Sequence, residues 1–187
     1  MSEFKDEHGH PIGWPVRDWT IRERPSKIKI RGRFTTLEPL NVQRHARDLF
    51  DAYGAGTDSS NWTYLNSQPE NEFEVFESWL KNSCLGDDPL FYVIIDRKTE
   101  KAVGAAAYMR IDPVNGCIEV GSINYAPALK QTAAGTEAMY LMMKRVFDEL
   151  GYRRYEWKCD SLNAGSKRAA SRYGFTFEGV FRQALVT

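Results

Sequence analysis

The chain has 187 residues, 42% of them apolar and 27% charged, which fits one soluble globular domain with a sizeable core. Lys+Arg and Asp+Glu are equal at 25 each, which argues against a protein that coats nucleic acid or an anionic membrane. The three cysteines (Cys84, Cys117, Cys159) lack metal-ligand spacing, no apolar run is long enough for a bilayer, and MSEFKDEHGHP has no apolar signal core, so a reduced, cytoplasmic, metal-free protein is expected.

Residues 1–31 carry Pro11, Pro15 and Pro25 with Gly9, Gly13, Trp14 and Trp19, and read as an extended arm that packs somewhere through its tryptophans. The domain proper is expected over 32–187. Arg33–Leu40 is a first strand ended by Pro39. Asn41 caps a helix whose inner face is Val42, Ala46, Leu49, Phe50 and Tyr53, with Gly54 as its stop; His45 is expected off that face, in solvent. Ala55–Gln68 is a polar loop with Trp62 and Tyr64 embedded, read either as packing residues or as part of an acceptor pocket. Glu70–Asn82 reads as a helix with Phe73, Phe76, Trp79 and Leu80 inward.

Leu90–Asp96, Ala102–Ile111 and the run from Cys117 are three strands separated by short turns, an antiparallel meander. Pro127 stops the third. From Ala134 the positions Ala138, Leu141, Met142, Val146 and Leu150 recur at helical spacing until Gly151. Tyr152–Asp160 is a strand with Arg153, Tyr155, Trp157 and Cys159 inward. A short helix from about Asn163 stops at Gly174, and Phe175–Thr187 is a final strand. The order β-α-α-β-β-β-α-β-α-β predicts an α/β fold with a mixed sheet, a meander followed by parallel crossovers.

The loop KQTAAG (Lys130–Gly135) joins a strand to the long helix and consists mostly of small residues. Such a loop offers backbone N–H groups and the positive end of a helix to a phosphate. Three motifs then converge. IEVGSINYAP, KQTAAGTEA and LNAGSKRAASRYGFTFEGVFR, in that order on a strand, a loop and helix, and a second helix, resemble the GNAT acetyltransferases, and most closely their ribosomal-protein N-terminal acetyltransferase (RimJ/RimL-like) branch. The resemblance covers roughly Arg33 to Thr187.

The resemblance implies the GNAT fold, with splayed fourth and fifth strands, and transfer of an acetyl group from acetyl-CoA to an amine acceptor, a small molecule or a protein N-terminus. It places the pantetheine arm against the backbone of Ile123, Asn124 and Tyr125. It places the pyrophosphate on Lys130, Gln131, Thr132, Ala133, Ala134, Gly135 and Thr136. Asn163 would bind the pantetheine, and Lys167 and Arg168 face the 3′-phosphate or simply solvent. Two positions depart from the family pattern: Ala133 replaces a glycine, and Lys130 replaces Arg or Gln, giving a point charge in place of a fork.

Amine attack needs a base, a polarised carbonyl and a proton for the thiolate. Glu119 is the carboxylate available as base, with a structural salt bridge as the alternative. The family's Tyr acid position is Ala170 here, and Ser166 stands where the branch places a Ser beside the CoA sulfur, with helix capping as its plainer role. Trp62, Tyr64 and Arg110 are the acceptor-side candidates. Family members close with one more strand, so a form ending at Thr187 is expected to leave a sheet edge unpaired and to be less stable or to associate, for example as a homodimer. Two other activities fit the same cofactor half: a non-catalytic acyl-CoA-binding module, and a small-molecule amine acetyltransferase. The latter calls for an acidic pocket, towards which Asp58 alone points.

Overall fold

The computed structural model describes residues 4–54, 60–65, 67 and 70–184. Asp58 and residues 185–187 lie outside them. The six strands are β1 (Ile30–Arg31), β2 (Thr35–Pro39), β3 (Leu90–Asp96), β4 (Lys101–Asp112), β5 (Cys117–Tyr125) and β6 (Arg154–Trp157). They form one sheet in chain order. Every neighbouring pair is antiparallel except β5 and β6, which are parallel and connected by the helical crossover. The expected meander is therefore present, with the two-residue β1 added ahead of it.

Four helices flank the sheet: α1 (Val42–Ala52), α2 (Phe73–Ser83), α3 (Ala133–Lys144) and α4 (Ala164–Arg172). Helix α3 buries Ala138, Met139 and Met142 against Leu37, Tyr92, Tyr108, Ile118 and Val120 on one face of the sheet. Helices α1 and α2 cover the other face, where Val42, Ala46, Leu49, Tyr53, Phe76 and Leu80 pack with Val93, Ala102 and Ala126. The strands alternate between these two cores, as period-two side-chain placement requires.

Several sequence expectations are corrected. His45 is not solvated but 2% exposed. Its position follows Val42 by three and precedes Leu49 by four, so it belongs to the buried stripe. Its polar atoms are satisfied there: the Asn41 N–H donates to Nδ1 at 3.2 Å, and Nε2 lies 3.3 Å from the buried Glu38 carboxylate. The long helix does not run unbroken to Leu150. It passes after Lys144 into a π-turn, Arg145–Glu149, closed by Leu150 N–H to the Arg145 carbonyl. The buried Arg145 guanidinium bonds the Tyr92 hydroxyl and Ser26, which ties the N-terminal arm to the sheet.

Strand β6 is shorter than Tyr152–Asp160, and its ends differ from the expected pattern. Tyr152 is buried with its hydroxyl donating to the Glu23 carbonyl, whereas Arg153 and Cys159 are exposed. Gly151, at φ 66, turns the chain before β6 and so shifts the phase of Tyr152. The final strand is absent among the described residues: 175–184 leave the sheet. Phe177, Val180 and Phe181 are 77%, 60% and 75% exposed; the segment touches β6 only through side chains, Phe175 on Tyr155 and Trp157 and Glu178 with Arg154.

The arm is anchored on its second half. Trp19 donates to the Val114 carbonyl at 2.8 Å, Arg24 to the Ile111 carbonyl at 3.2 Å and Tyr92 to the Ser26 carbonyl at 3.0 Å. Gly116 admits the Trp19 ring, because a Cβ there would stand 2.3 Å from it. Trp14, by contrast, is exposed.

Candidate active site

Strand β5 pairs with β6 only from Cys117↔Arg154 to Val120↔Trp157. Beyond Val120, β5 continues to Tyr125 while β6 ends, so the two strands part and open a V. Ser122 adopts φ 48 inside β5, and two β5 residues oppose Ala106 between the Ala107↔Gly121 and Ala105↔Asn124 pairs. This bulge twists the free half of β5 away from β6.

Glu119 sits at the base of the V, on the α1 side of the sheet, opposite Met109. It is 3% exposed. Arg110 donates to one carboxylate oxygen at 2.6 Å and Lys158 to the other at 2.5 Å; Lys158 also bonds Glu156. Burial pulls Lys158 down, but its hydrogen bonds to Glu119 and Glu156 outweigh that and hold its ammonium pKa above the usual value. Lys158 beside it likewise holds Glu156 below the ordinary carboxylate range. A carboxylate has about four lone-pair sites, so two cations orient Glu119 without exhausting it.

Ser166 approaches from the opposite face. The Trp157 indole N–H donates to its Oγ at 2.8 Å, which leaves the hydroxyl proton free to be donated elsewhere. Asn163 caps α4 by accepting the Ser166 N–H at 2.9 Å. Its carbonyl oxygen is thus used locally, and its amide nitrogen remains. Lys167 turns back onto the Ser161 carbonyl.

The loop before α3 is built to present N–H groups. Gln131 takes φ 59, and Thr132 caps the helix by accepting the Gly135 N–H at 3.0 Å. The N–H groups of Ala133 and Ala134 head the helix with no intrahelical acceptor available. Gly135 is needed inward: a Cβ there would stand 2.7 Å from the Leu129 carbonyl oxygen and 3.0 Å from the Tyr125 ring. The Tyr125 hydroxyl donates to the Gly135 carbonyl at 2.8 Å and pins the helix start to β5. Thr136 accepts a bond from Arg172 of α4, so a cation stands at this loop that the sequence motifs did not indicate. Lys130 does not face the loop's N–H groups; its ammonium bonds Asn61. An anion of pyrophosphate type fits this donor set: free N–H groups, a helix start and Arg172.

The acceptor-side candidates are divided. Trp62 is buried in the α1–α2 core with Tyr53 and Trp79. Tyr64 is half exposed and its hydroxyl reaches the Leu162 carbonyl at 3.5 Å, the outer limit of a hydrogen bond. Arg110 serves Glu119. Ile123 packs on the α3-side core. Asn124 is buried, and its backbone carbonyl accepts the Tyr53 hydroxyl at 3.3 Å. Trp157, Lys158, Tyr53 and Asn61 were missed at the sequence level, since only the β5–β6 register and the return of the α1–α2 connection over β5 bring them here.

Comparison with known proteins agrees with this fold. The model of the acetyltransferase (GNAT) domain family matches residues 35–176. A GCN5-related N-acetyltransferase from Brucella melitensis is 46% identical, with 91% of this chain and 77% of that chain covered and a TM-score of 0.89. A candidate GNAT-family acetyltransferase from Chromobacterium violaceum is 38% identical over 95% of this chain and 88% of that one, with a TM-score of 0.86. A candidate ribosomal-protein-serine acetyltransferase from Vibrio cholerae is 20% identical over 79% of this chain and 82% of that one, with a TM-score of 0.63, a likeness of fold alone. No curated protein matches the sequence.

Proposed function

The chain belongs to the GNAT acetyltransferases, which transfer acetyl groups from acetyl-CoA to amines, and from that premise we propose that it acetylates the N-terminal amine of a peptide or protein, as the RimJ/RimL-like branch does. The observation that carries this reading is the V beyond Val120↔Trp157, with Glu119 on one face and Ser166 on the other. The strand edge of Ile123, Asn124 and Tyr125 takes the pantetheine arm. Gln131, Thr132, Ala133, Ala134, Gly135 and Thr136 hold the pyrophosphate, with Arg172 beside them and Lys130 released from Asn61 as a further cation.

In this scheme the amine nitrogen forms a bond to the acetyl carbon and the carbon–sulfur bond breaks. Glu119 takes the proton the amine must lose, directly or through one water, while Arg110 and Lys158 fix the carboxylate in place. Ser166, its oxygen held by Trp157, gives its proton to the departing thiolate and is reprotonated from solvent. Trp62 and Tyr64 border the acceptor path rather than hold the amine.

Thiol release from acetyl-CoA with a panel of peptides and polyamines tests the reading. Peptide amines are expected as the preferred acceptors. Glu119→Gln and Ser166→Ala should each lower kcat by about 100-fold, the low end of what general acid–base groups contribute, with acetyl-CoA binding kept. Turnover on polyamines alone, or full activity in Glu119→Gln, defeats it.

A further inference from the structure

Asn124 is the residue of the V whose chemistry is unfinished. It is 6% exposed, and neither its amide nitrogen nor its amide oxygen has a hydrogen-bond partner. A buried carboxamide left in that state is destabilising, because both groups lose water and gain nothing. Such a group in a native protein calls for a partner from outside the chain, a water, an ion or a bound molecule, or for a functional role.

Its surroundings say what the ligand offers. Register puts Val93, Ala105 and Asn124 in one row. Val93 packs in the core beneath α1, so the amide faces the α1 side, the side that also carries Glu119. Between them the floor is made of small residues, Ala105, Ala107 and Gly121, and a Cβ on Gly121 would meet Met109 and approach Glu119. Tyr53 and Trp62 of the same core stand at the Asn124 end. A second buried amide nitrogen, that of Asn61, also lacks a partner, while its oxygen takes Lys130. The row from Glu119 to Asn124 thus runs from a carboxylate matched by two cations, past Met109 over Gly121, to a neutral amide. The carboxylate at its start is already matched by two cations, so no negative charge is left over for a second ammonium.

The geometry points to Asn124 as a specificity-determining residue that accepts an N–H from the acceptor and donates its own amide N–H to the acceptor's neighbouring carbonyl, selecting an amine that is followed by a peptide group. A carboxamide has one donor side and one acceptor side, and a peptide N-terminus supplies the complement to both. A polyamine supplies donors only and would leave the Asn124 amide nitrogen buried and unpaired, which is how a polar site rejects an analogue lacking the matching group. This rests on the peptide-acceptor reading above and narrows it to the residue that enforces it.

The experiment compares an alanyl dipeptide amide with propylamine as acceptors, on the wild type and on Asn124→Leu and Asn124→Ala. For the wild type, kcat/KM should favour the dipeptide amide by at least 10-fold. Asn124→Leu should erase that preference by raising the dipeptide KM more than the propylamine KM, and should melt higher than the wild type, because an apolar isostere removes the unpaired amide. Asn124→Ala should erase the preference too, which covers a leucine variant that fails to fold. If the wild type prefers simple amines or polyamines, the peptide-acceptor reading itself falls. If the wild type prefers the dipeptide and both variants retain that preference, only the role of Asn124 falls. A 10-fold weaker acetyl-CoA Kd with acceptor preference intact would assign the amide to the pantetheine and overturn the proposal.

Discussion

The two halves of β5 solve the problem of buried polar groups in opposite ways. From Cys117 to Val120 the strand has a partner on each side, and its one buried charge, Glu119, is met by Arg110 and Lys158. From Gly121 to Tyr125 the strand loses its β6 partner, bulges at Ser122 and keeps an amide at Asn124 with no hydrogen-bond partner in the chain. The first half is satisfied within the chain, and the second leaves an amide for the proposed acceptor to complete. Stability and binding are thereby separated along nine residues of one strand.

The largest test removes the satisfaction of the lower half. Arg110→Met with Lys158→Met leaves the Glu119 carboxylate buried without a cation. Breaking a buried pair from one side costs about 3 kcal/mol, which for a domain of this size lowers Tm by roughly 9 °C. Adding Glu119→Leu to the double variant should recover most of that loss while abolishing transfer. A double variant that melts with the wild type would show that the lower half does not depend on its ion pairs.

A smaller effect is expected where the upper half meets α3. Gly135→Ala gains helix propensity, worth up to about 1 kcal/mol. Against this, the new Cβ enters at 2.7 Å from the Leu129 carbonyl oxygen and 3.0 Å from the Tyr125 ring, and both are held in place. Overpacking of that kind costs about 2 kcal/mol, so the net change is a loss of about 1 kcal/mol by the same two figures. The helix start must retreat from β5, which weakens the Tyr125–Gly135 bond and, with it, acetyl-CoA affinity. Chemical denaturation and calorimetric titration check the two consequences separately; unchanged stability would mean that β5 and α3 tolerate separation.

What the sequence revealed differs between these regions for physical reasons. The strands and helices were legible because the period of apolar residues is set locally: the Leu90–Asp96 run, the Asn41 cap and the Ala138–Met142 stripe fall where expected. Motifs placed the V and its loop. The partners of Glu119 were not legible, because Arg110 lies nine residues before it and Lys158 thirty-nine after. Those contacts exist only through the β4–β5 and β5–β6 registers. Asn124 read as backbone alone, since a side chain's lack of partners cannot be seen before the fold. The closing strand failed for a related reason: Phe177, Val180 and Phe181 are apolar as strand residues are, but composition does not supply a ladder, and only Phe175 and Glu178 of this segment reach β6, through their side chains.

The smallest expected effect lies outside β5 and sharpens the contrast by showing a buried polar pair that is complete but dependent on pH. Burial holds the His45 imidazole below its usual value of 6.5, and this outweighs the opposing pull of Glu38. Burial pushes Glu38 up, but the Lys29 hydrogen bond and the charges of Arg44 and Lys29 outweigh it and hold the carboxyl below 4.5. Asp48 and Arg44 are the other charged groups acting on His45. A depressed histidine binds its proton more readily in the unfolded chain, so its contribution is complete above pH 6.5 and declines as pH falls through that value. The Glu38 contribution is complete above pH 4.5 and declines below it. Tm should therefore drop in two steps on acidification, the first from His45 and the second from Glu38 with the other paired carboxylates. His45→Gln keeps a hydrogen-bonding side chain at the Asn41 N–H and removes the titration, so its Tm should be level across the first step and fall only in the second. A first step of equal size in His45→Gln would place the titrating group elsewhere.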